Sequence, residues 1–473
     1  MRESWAGSGV DLHLELRPSG GRRRALEDAL RGAIRDGRLP RGTRLPSTRS
    51  LAAELGLSRG TVSAAYDQLT EEGYLTTRPG SATRVSDMST PVPAAPPPAG
   101  VLPVPSAGAV AWRASPGGPA HDLRPGLPDV SAFPVRAWLR ATRHVLATAP
   151  AEIFGACDPR GRIELRTALA GYLARTRGVV TTPDLIVITT GFVQTLNLLA
   201  TAIDGPVAME DPGHDFYREV VRRTGHDVVP LPVDELGART GTLTPDVAAA
   251  VVTPTHQYPM GVPLHPRRRR ALRDWAVGGG LVIEDDYDGE FRYDRQPVGA
   301  LQGTAPEHVV YFGTTSTTLG PALRLAWMAV PPALIGPLTE AKLHADAHTE
   351  ALGQLVLARL IETHDYDRLI RAARLRYRRR RDLLLARLTA ALPGARFPGV
   401  AAGLRALLLL PPDGPAEADL LAACERRGIA LRGASPLWQT AGPEGLLIGY
   451  AAAPERAYPR ALDALAETLK DFS

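Results

Sequence analysis

A chain of 473 residues is too long for one ordinary core, and its length favours about two to four domains. Its two cysteines, Cys157 and Cys424, are far apart and lack metal-ligand spacing, which excludes a disulfide framework and points to small buried apolar residues in a reducing cytoplasm. The net charge of +5 identifies no partner, but residues 1–86 carry 14 Arg against 10 Asp and Glu, so most of the excess lies in under a fifth of the chain. That balance suits either a small module facing phosphate or a solvated basic face.

The N-terminal segment MRESWAGSGVDLHLEL lacks the apolar run of a signal peptide, and no stretch approaches the roughly 20 apolar residues of a membrane span. From Arg23 to Ile34 the residues Ala25, Leu26, Ala29, Leu30, Ala33 and Ile34 recur at helical spacing, and Gly37 ends the run. A turn follows, and Ser47 is positioned to cap a second helix that ends at Leu55. Ser58 then caps a third helix from Arg59 to about Glu72, its surface carrying Arg59, Thr61, Ser63 and Tyr66. Two short helices around a Gly-containing turn make a helix-turn-helix, whose last helix enters the major groove by its N-terminal end. Residues Tyr74–Val85 add two short strands around Pro79-Gly80, with Arg78 and Arg84 on either side, as in a wing that touches phosphate or the minor groove.

Together, LPSTRSLAAELGLSRGTVSAAYDQLTEEGYL and the wing resemble the winged-helix domain of the GntR family. The resemblance implies double-stranded DNA as a partner, with Arg44, Ser47, Arg49, Ser58, Arg59, Thr61, Arg78, Gly80 and Thr83 facing it. Ala82 departs from the pattern, because a glycine is common there. The module is expected over residues 14–86, and the Pro/Ala-rich residues 87–118 read as an extended tether that buries no core.

From about Asp122 the texture changes. Short apolar strands are predicted at Leu185–Thr189, Val207–Met209, Val228–Leu231, Ala250–Thr253, Leu281–Glu284, Val309–Tyr311 and Leu325–Ala329. Helices are predicted among them, including Ile163–Arg175, Val193–Ala202 and Arg267–Val277. This alternation indicates an α/β fold with a mainly parallel, doubly wound sheet, which binds ligands beyond the carboxyl ends of its strands. Motifs stand at those ends. Thr190-Gly191-Phe192-Val193 opens a helix whose free N–H groups suit a phosphate, and Asp285-Asp286-Tyr287 follows another strand. Arg324 follows a Thr/Ser-rich turn and offers a second phosphate contact. An Asp-Asp pair after a strand is also an ordinary cap or solvated loop.

The order of these motifs, with RPGLPD at Arg124–Asp129, EDPG at Glu210–Gly213 and TPTHQYPMG at Thr253–Gly261, resembles fold type I aminotransferases that use pyridoxal 5′-phosphate (PLP). The whole chain resembles MocR-type regulators, in which a GntR winged helix is fused to such a domain. The expected aminotransferase-like part spans 119–473, with a large domain at about 122–331 and a small α+β domain at about 332–473. By resemblance, Asp285 pairs with the pyridinium nitrogen and Tyr287 with the ring hydroxyl. Gly191, Phe192, Val193, Thr314, Ser316 and Arg324 cradle the phosphate. His214 stacks near the ring or is a surface or capping histidine, and His256 and Gln257 line the edge. The family also implies a homodimer.

Two departures stand out. The Schiff-base lysine of the family is replaced by Thr317, and the chain has only two lysines, Lys342 and Lys470. A threonine hydroxyl forms no imine and is too weak a base for proton abstraction. Lys342 reads as a solvated helical residue. The C-terminal arginine that holds an amino-acid carboxylate in the family is replaced by Leu447. The resulting expectation is a DNA-binding regulator whose aminotransferase-like domain dimerises and senses an effector, or binds a PLP-type ligand noncovalently. An enzyme with His214 or His256 as its base, and a scaffold with an empty site, are the alternatives. The run RLRYRRRRD, beginning at Arg374 after the basic residue Arg371, reads as one face of a small-domain helix rather than a second nucleic-acid site.

Overall fold

A computed structural model describes residues 21–77, 82–87, 119–293, 298–399 and 401–472. The chain divides into two compact units, 1–105 and 106–473. Arg78 and Gly80, and nearly all of the anticipated tether, lie outside the described residues.

In the first unit, helices α1 (Arg22–Arg35), α2 (Thr48–Leu55) and α3 (Arg59–Glu71) pack around Leu26, Leu30, Leu51, Val62, Ala65 and Leu69, all fully buried. Both predicted caps form. Ser47 Oγ accepts from Ser50 N at 3.2 Å, and Ser58 Oγ accepts from Thr61 N at 3.1 Å. Gly56 ends α2 in the left-handed conformation, at φ 65°. Strands β1 (Leu75–Thr76) and β2 (Arg84–Val85) are antiparallel, with Leu75 opposite Val85. The turn before α2 joins this ribbon, with Leu45 N bonded to Thr83 O at 2.9 Å and Val85 N to Thr43 O at 3.0 Å. The sequence pattern had not suggested that third edge.

The second unit begins with β3 (His121–Asp122), which pairs in parallel with β13 (Ile429–Ala430), and is built on an eight-stranded sheet. Its strands in chain order are β4 (Ile186–Thr189), β5 (Val207–Asp211), β6 (Val228–Asp234), β7 (Gly237–Ala238), β8 (Ala249–Val252), β9 (Leu281–Asp285), β10 (Val309–Thr314) and β11 (Ala326–Ala329). All seven predicted strands are present, within a few residues at their ends. β7 is additional. The spatial order is β4-β11-β10-β9-β8-β5-β6-β7. The inner strands β10, β9, β8, β5 and β6 run parallel, whereas β11 is antiparallel to both of its neighbours and β7 to β6. Most of these strands are buried and largely apolar because both faces are covered, whereas β6 is partly exposed. In β4, Ile186 and Ile188 pack beneath the helices Ile163–Arg177 and Ala351–Glu362, while Val187 faces the opposite layer with Phe192, Leu196 and Leu338.

A smaller sheet completes the unit, ordered β12-β15-β14 from β12 (Arg405–Leu409), β14 (Arg432–Gly433) and β15 (Gly445–Gly449). One of its faces packs against the long helix Asp365–Ala391 and the C-terminal helix Tyr458–Lys470. The basic run of that long helix is mainly structural. Arg380 is buried against Asp129 at 3.1 Å and Glu455 at 2.7 Å, and Arg374 donates to Glu290 O at 2.8 Å. Among the described residues, no helix is long and apolar enough to cross a membrane.

Candidate functional site

The topology brings the predicted residues to one end of the large sheet. β4, β9 and β10 finish there at Thr189, Asp285 and Thr314. Because β11 runs the other way, Arg324 precedes its start at this same end, where Ala326 lies opposite both Thr189 and Thr314. The helix Phe192–Ala200 begins here after Gly191, which has φ 140°. A Cβ on Gly191 would lie 3.0 Å from Arg324 Nη2, so the guanidinium covers the glycine backbone. Arg324 itself adopts the left-handed conformation, at φ 52°, and is exposed. Among the described residues it makes no hydrogen bond or ion pair. First-turn N–H groups of a helix lack intrahelical acceptors, so a guanidinium and a free helix terminus converge on one anion-sized locus. Thr314 Oγ1 donates to Ser316 Oγ at 2.9 Å and accepts from Ser316 N at 3.1 Å, which fixes the adjoining turn.

The two adjacent aspartates differ sharply. Asp286 receives Arg177 at 2.6 and 2.9 Å and Tyr311 Oη at 2.7 Å, and is a structural anchor. Asp285 is equally buried, yet its Oδ1 has no partner. Burial, reinforced by the charges of Asp288, Asp286 and Glu210, raises its carboxyl well above the ordinary range. An orphaned buried acceptor of this kind calls for a donor, and a ring N–H satisfies it.

Aromatic groups border this carboxylate. His214 stacks on Tyr217 at 4.1 Å and on Tyr258 at 4.9 Å between centroids. Burial, together with nearby arginines, pushes its pKa down to about 3, so the ring is neutral at physiological pH. Phe192 packs edge-on against Tyr217 and tilted against Phe312. Tyr287 Oη donates to His256 O at 3.1 Å and accepts from Arg405. His256 is fully buried, with Nδ1 2.7 Å from Asp288 Oδ2. Gln257 also turns inward, donating to Glu210 at 3.1 Å and Pro212 O at 2.9 Å, so it braces the EDPG loop rather than lining an edge. Val193 and Phe192 contribute backbone at the helix start.

Thr317 sits beside the same residues. Its hydroxyl donates to Tyr287 O at 2.7 Å, which commits its only proton to holding the loop that follows Asp285. Lys342 corrects the sequence expectation. It is fully buried, bonded to Asp346 at 2.5 Å and Thr349 Oγ1 at 3.1 Å, because its helix packs this face inward instead of toward water. Burial lowers its pKa. Cys424 is buried as expected, whereas Cys157 is only half-buried.

Arg405 was not anticipated. It is 5% exposed, its guanidinium lies 4.1 Å from the Tyr258 ring centroid, and its Nε has no partner. Finding it required the register of the small sheet, because Leu404–Leu410 reads only as an apolar strand interrupted by one charge. Among the described residues no cluster of three or more His, Cys, Asp or Glu is placed to hold a metal ion.

On the winged helix, Arg44, Ser47, Arg49, Ser58 and Arg59 are exposed and Thr61 is half-buried. Arg44 bridges Arg84 beside Thr83, so the turn before α2 and the base of the wing are neighbours. Arg59 opens α3, whose N-terminal end is the one suited to base edges and phosphates.

Residues 22–85 match the family of bacterial regulatory proteins described as gntR, and residues 126–465 match aminotransferase class I and II. The HTH-type pyridoxine biosynthesis transcriptional regulator PdxR of Corynebacterium glutamicum is 32% identical over 430 residues, covering 90% of this chain and 91% of that protein. The probable rhizopine catabolism regulatory protein MocR of Rhizobium meliloti is 32% identical over 375 residues, covering 77% of this chain and 76% of that one. A crystal structure of an archaeal alanine:glyoxylate aminotransferase superposes with a TM-score of 0.69 at 25% identity, covering 74% of this chain and 91% of that one.

Proposed function

Since this chain belongs to the HTH-type transcriptional regulators that join a GntR DNA-binding domain to an aminotransferase-like domain, we propose that its larger unit is a noncovalent sensor of a PLP-type ligand. The observation that carries this reading is the unpartnered, buried Oδ1 of Asp285, with Thr317 in place of an amine. In this reading Asp285 holds a pyridinium N–H, Tyr287 faces the ring hydroxyl, and His214 lies against the ring. The N–H groups of Gly191, Phe192 and Val193, with Thr314, Ser316 and Arg324, hold a phosphate. PLP supplies an electron-accepting ring when bound, but this chain offers no amine at the site, since Lys342 is committed elsewhere. Tyr287 and Thr317 therefore orient a ligand rather than move protons.

The same reading makes the protein a homodimer in the cytoplasm. Val130, Val135, Leu139, Leu146 and Phe154 leave large apolar side chains exposed near one helix, Val135–Thr148, a face that a second copy would cover. Two winged helices then meet two half-sites. The DNA contacts are assigned to Arg44, Ser47, Arg49, Ser58, Arg59, Thr61 and Thr83, with Arg78 and Gly80 at the wing. The test is selection of bound fragments from sheared genomic DNA, followed by titration of the best fragment with and without pyridoxamine 5′-phosphate. The reading expects a changed affinity or footprint that disappears in Asp285→Ala. An unchanged footprint at saturating ligand would contradict it.

A further inference from the structure

The small sheet sets two arginines around Leu447, a residue of a buried strand. Leu447 pairs directly with Leu407 on β12 and with Arg432 on β14, while Arg405 pairs with Gly449. Cross-strand partners share a face, and alternate residues along a strand share it too. Arg405, Leu407, Leu447 and Arg432 therefore lie on one face, which packs against Tyr258 and Met260. Leu447 is flanked on both neighbouring strands by arginines. Gly449 is fixed by the backbone, because a Cβ there would collide with Arg124 O, so no side chain on β15 stands directly opposite Arg405.

Both arginines act on Tyr258. Arg405 stacks over its ring, and the charge of Arg432 is felt by its hydroxyl. Tyr258 in turn stacks on His214, so a continuous set of contacts leads from the ring-stacking position to the two cations. The anions facing them are few. Asp288 Oδ2 is 3.8 Å from Arg405 Nη1 but is already held by His256 at 2.7 Å, and Asp215 takes Arg432 at 2.5 Å. Arg405 Nε–H is buried without an acceptor. A buried guanidinium with an unused donor and an incompletely matched charge is a built receptor for an oxyanion.

We propose that Arg405, assisted by Arg432, is the carboxylate-recognition site of this protein, displaced by one strand from the position that Leu447 now fills. The ligand class is a small carboxylate carried on, or lying beside, the PLP-type ring, and the inference rests on the sensor reading above. Tyr287 links the two halves, because the hydroxyl that faces the ring also accepts from Arg405. A carboxylate that draws Arg405 away from Tyr287 alters the hydrogen bonding of Tyr287, whose backbone carbonyl is held by Thr317.

The test uses the full-length protein and two stable probes, N-(5′-phosphopyridoxyl)glycine and N-(5′-phosphopyridoxyl)glycinamide, which differ only in the carboxylate. Calorimetric titration should show the acid binding roughly 10–100-fold more tightly than the amide. Arg405→Gln should abolish that preference, so that acid and amide bind with equal affinity. Should Arg405→Gln fail to fold by circular dichroism, Arg405→Lys and Arg432→Gln serve instead. Each is expected to reduce the acid-over-amide preference at least about threefold. Equal affinity for acid and amide in the unsubstituted protein, or a preference untouched by these substitutions, overturns the carboxylate site while leaving the sensor reading standing. Failure of both probes to bind overturns the sensor reading, and the carboxylate site with it.

Discussion

The large sheet and the small sheet each supply one side of the proposed site, and they do so in different ways. On the large sheet, Gly191, Asp285, Tyr287 and Arg324 gather at one end of the strands beside Thr317, where the sensor reading places its ligand. On the small sheet, Leu447 belongs to an apolar cluster while cations stand on both adjacent strands. Backbone geometry explains the contrast. An anion cup made from a positive-φ glycine, a helix terminus and a left-handed arginine depends on the path of the chain, so it persists as a unit. A side-chain receptor on a strand face depends only on which residue of the face carries charge, so it can be displaced without refolding the sheet.

The adjacent carboxylates give the most severe way to break this account. Asp286→Ala strips the acceptor from a buried arginine and is expected to destabilise the larger unit by about 3–5 kcal/mol in urea unfolding. Asp285→Asn removes no partner, so stability should change by less than about 1 kcal/mol while binding of pyridoxamine 5′-phosphate is lost. Equal destabilisation by the two would erase the distinction between anchor and ligand group.

Titration offers a second test. Burial raises Glu210, Glu284 and Glu290 from an ordinary 4.5 to about 7. Between these values the folded chain retains protons that the unfolded chain has released, so stability falls as pH rises from 4.5 to 7. His214 opposes this, since a pKa of about 3 in place of 6.5 makes its contribution rise with pH over that interval. Three acids outweigh one base. Urea midpoints should therefore decline from pH 5 to 7.5, and Glu284→Gln should flatten the decline by an amount on the order of 1–3 kcal/mol.

Arg324→Ala should weaken pyridoxamine 5′-phosphate binding by roughly tenfold, about 1.4 kcal/mol, at unchanged stability, because the side chain is exposed and makes no internal ion pair among the described residues. The smallest effect belongs to the other unit. Ser58→Ala removes the cap of α3 and should cost about 1 kcal/mol in thermal unfolding of the winged helix, with no change in ligand binding by the larger unit.

Much of this was legible in the sequence, for identifiable reasons. Six of the seven strands were legible because residues buried on both faces read as short apolar runs, the partly exposed β6 because Val228, Val229 and Leu231 still form one, and Ser47 and Ser58 because capping is a local interaction. Asp285 was legible as a candidate, but nothing local separated it from Asp286, since the difference lies in Arg177, more than a hundred residues away. Lys342 looked solvated because its helix carries polar residues on several faces. Its burial follows from Asp346 and Thr349 closing over it. Arg405 depended on pairing between strands about 40 residues apart, and a single-strand pattern carries no such register.

The central claim, that a PLP-shaped site persists without its amine, is tested most directly by spectrophotometric titration of PLP into the unsubstituted protein and Thr317→Lys, followed by borohydride. The account predicts saturable binding to both, with a reducible imine band and permanent labelling only in Thr317→Lys. Failure of Thr317→Lys to form the imine while remaining folded, or borohydride labelling of the unsubstituted protein at this site, would contradict it.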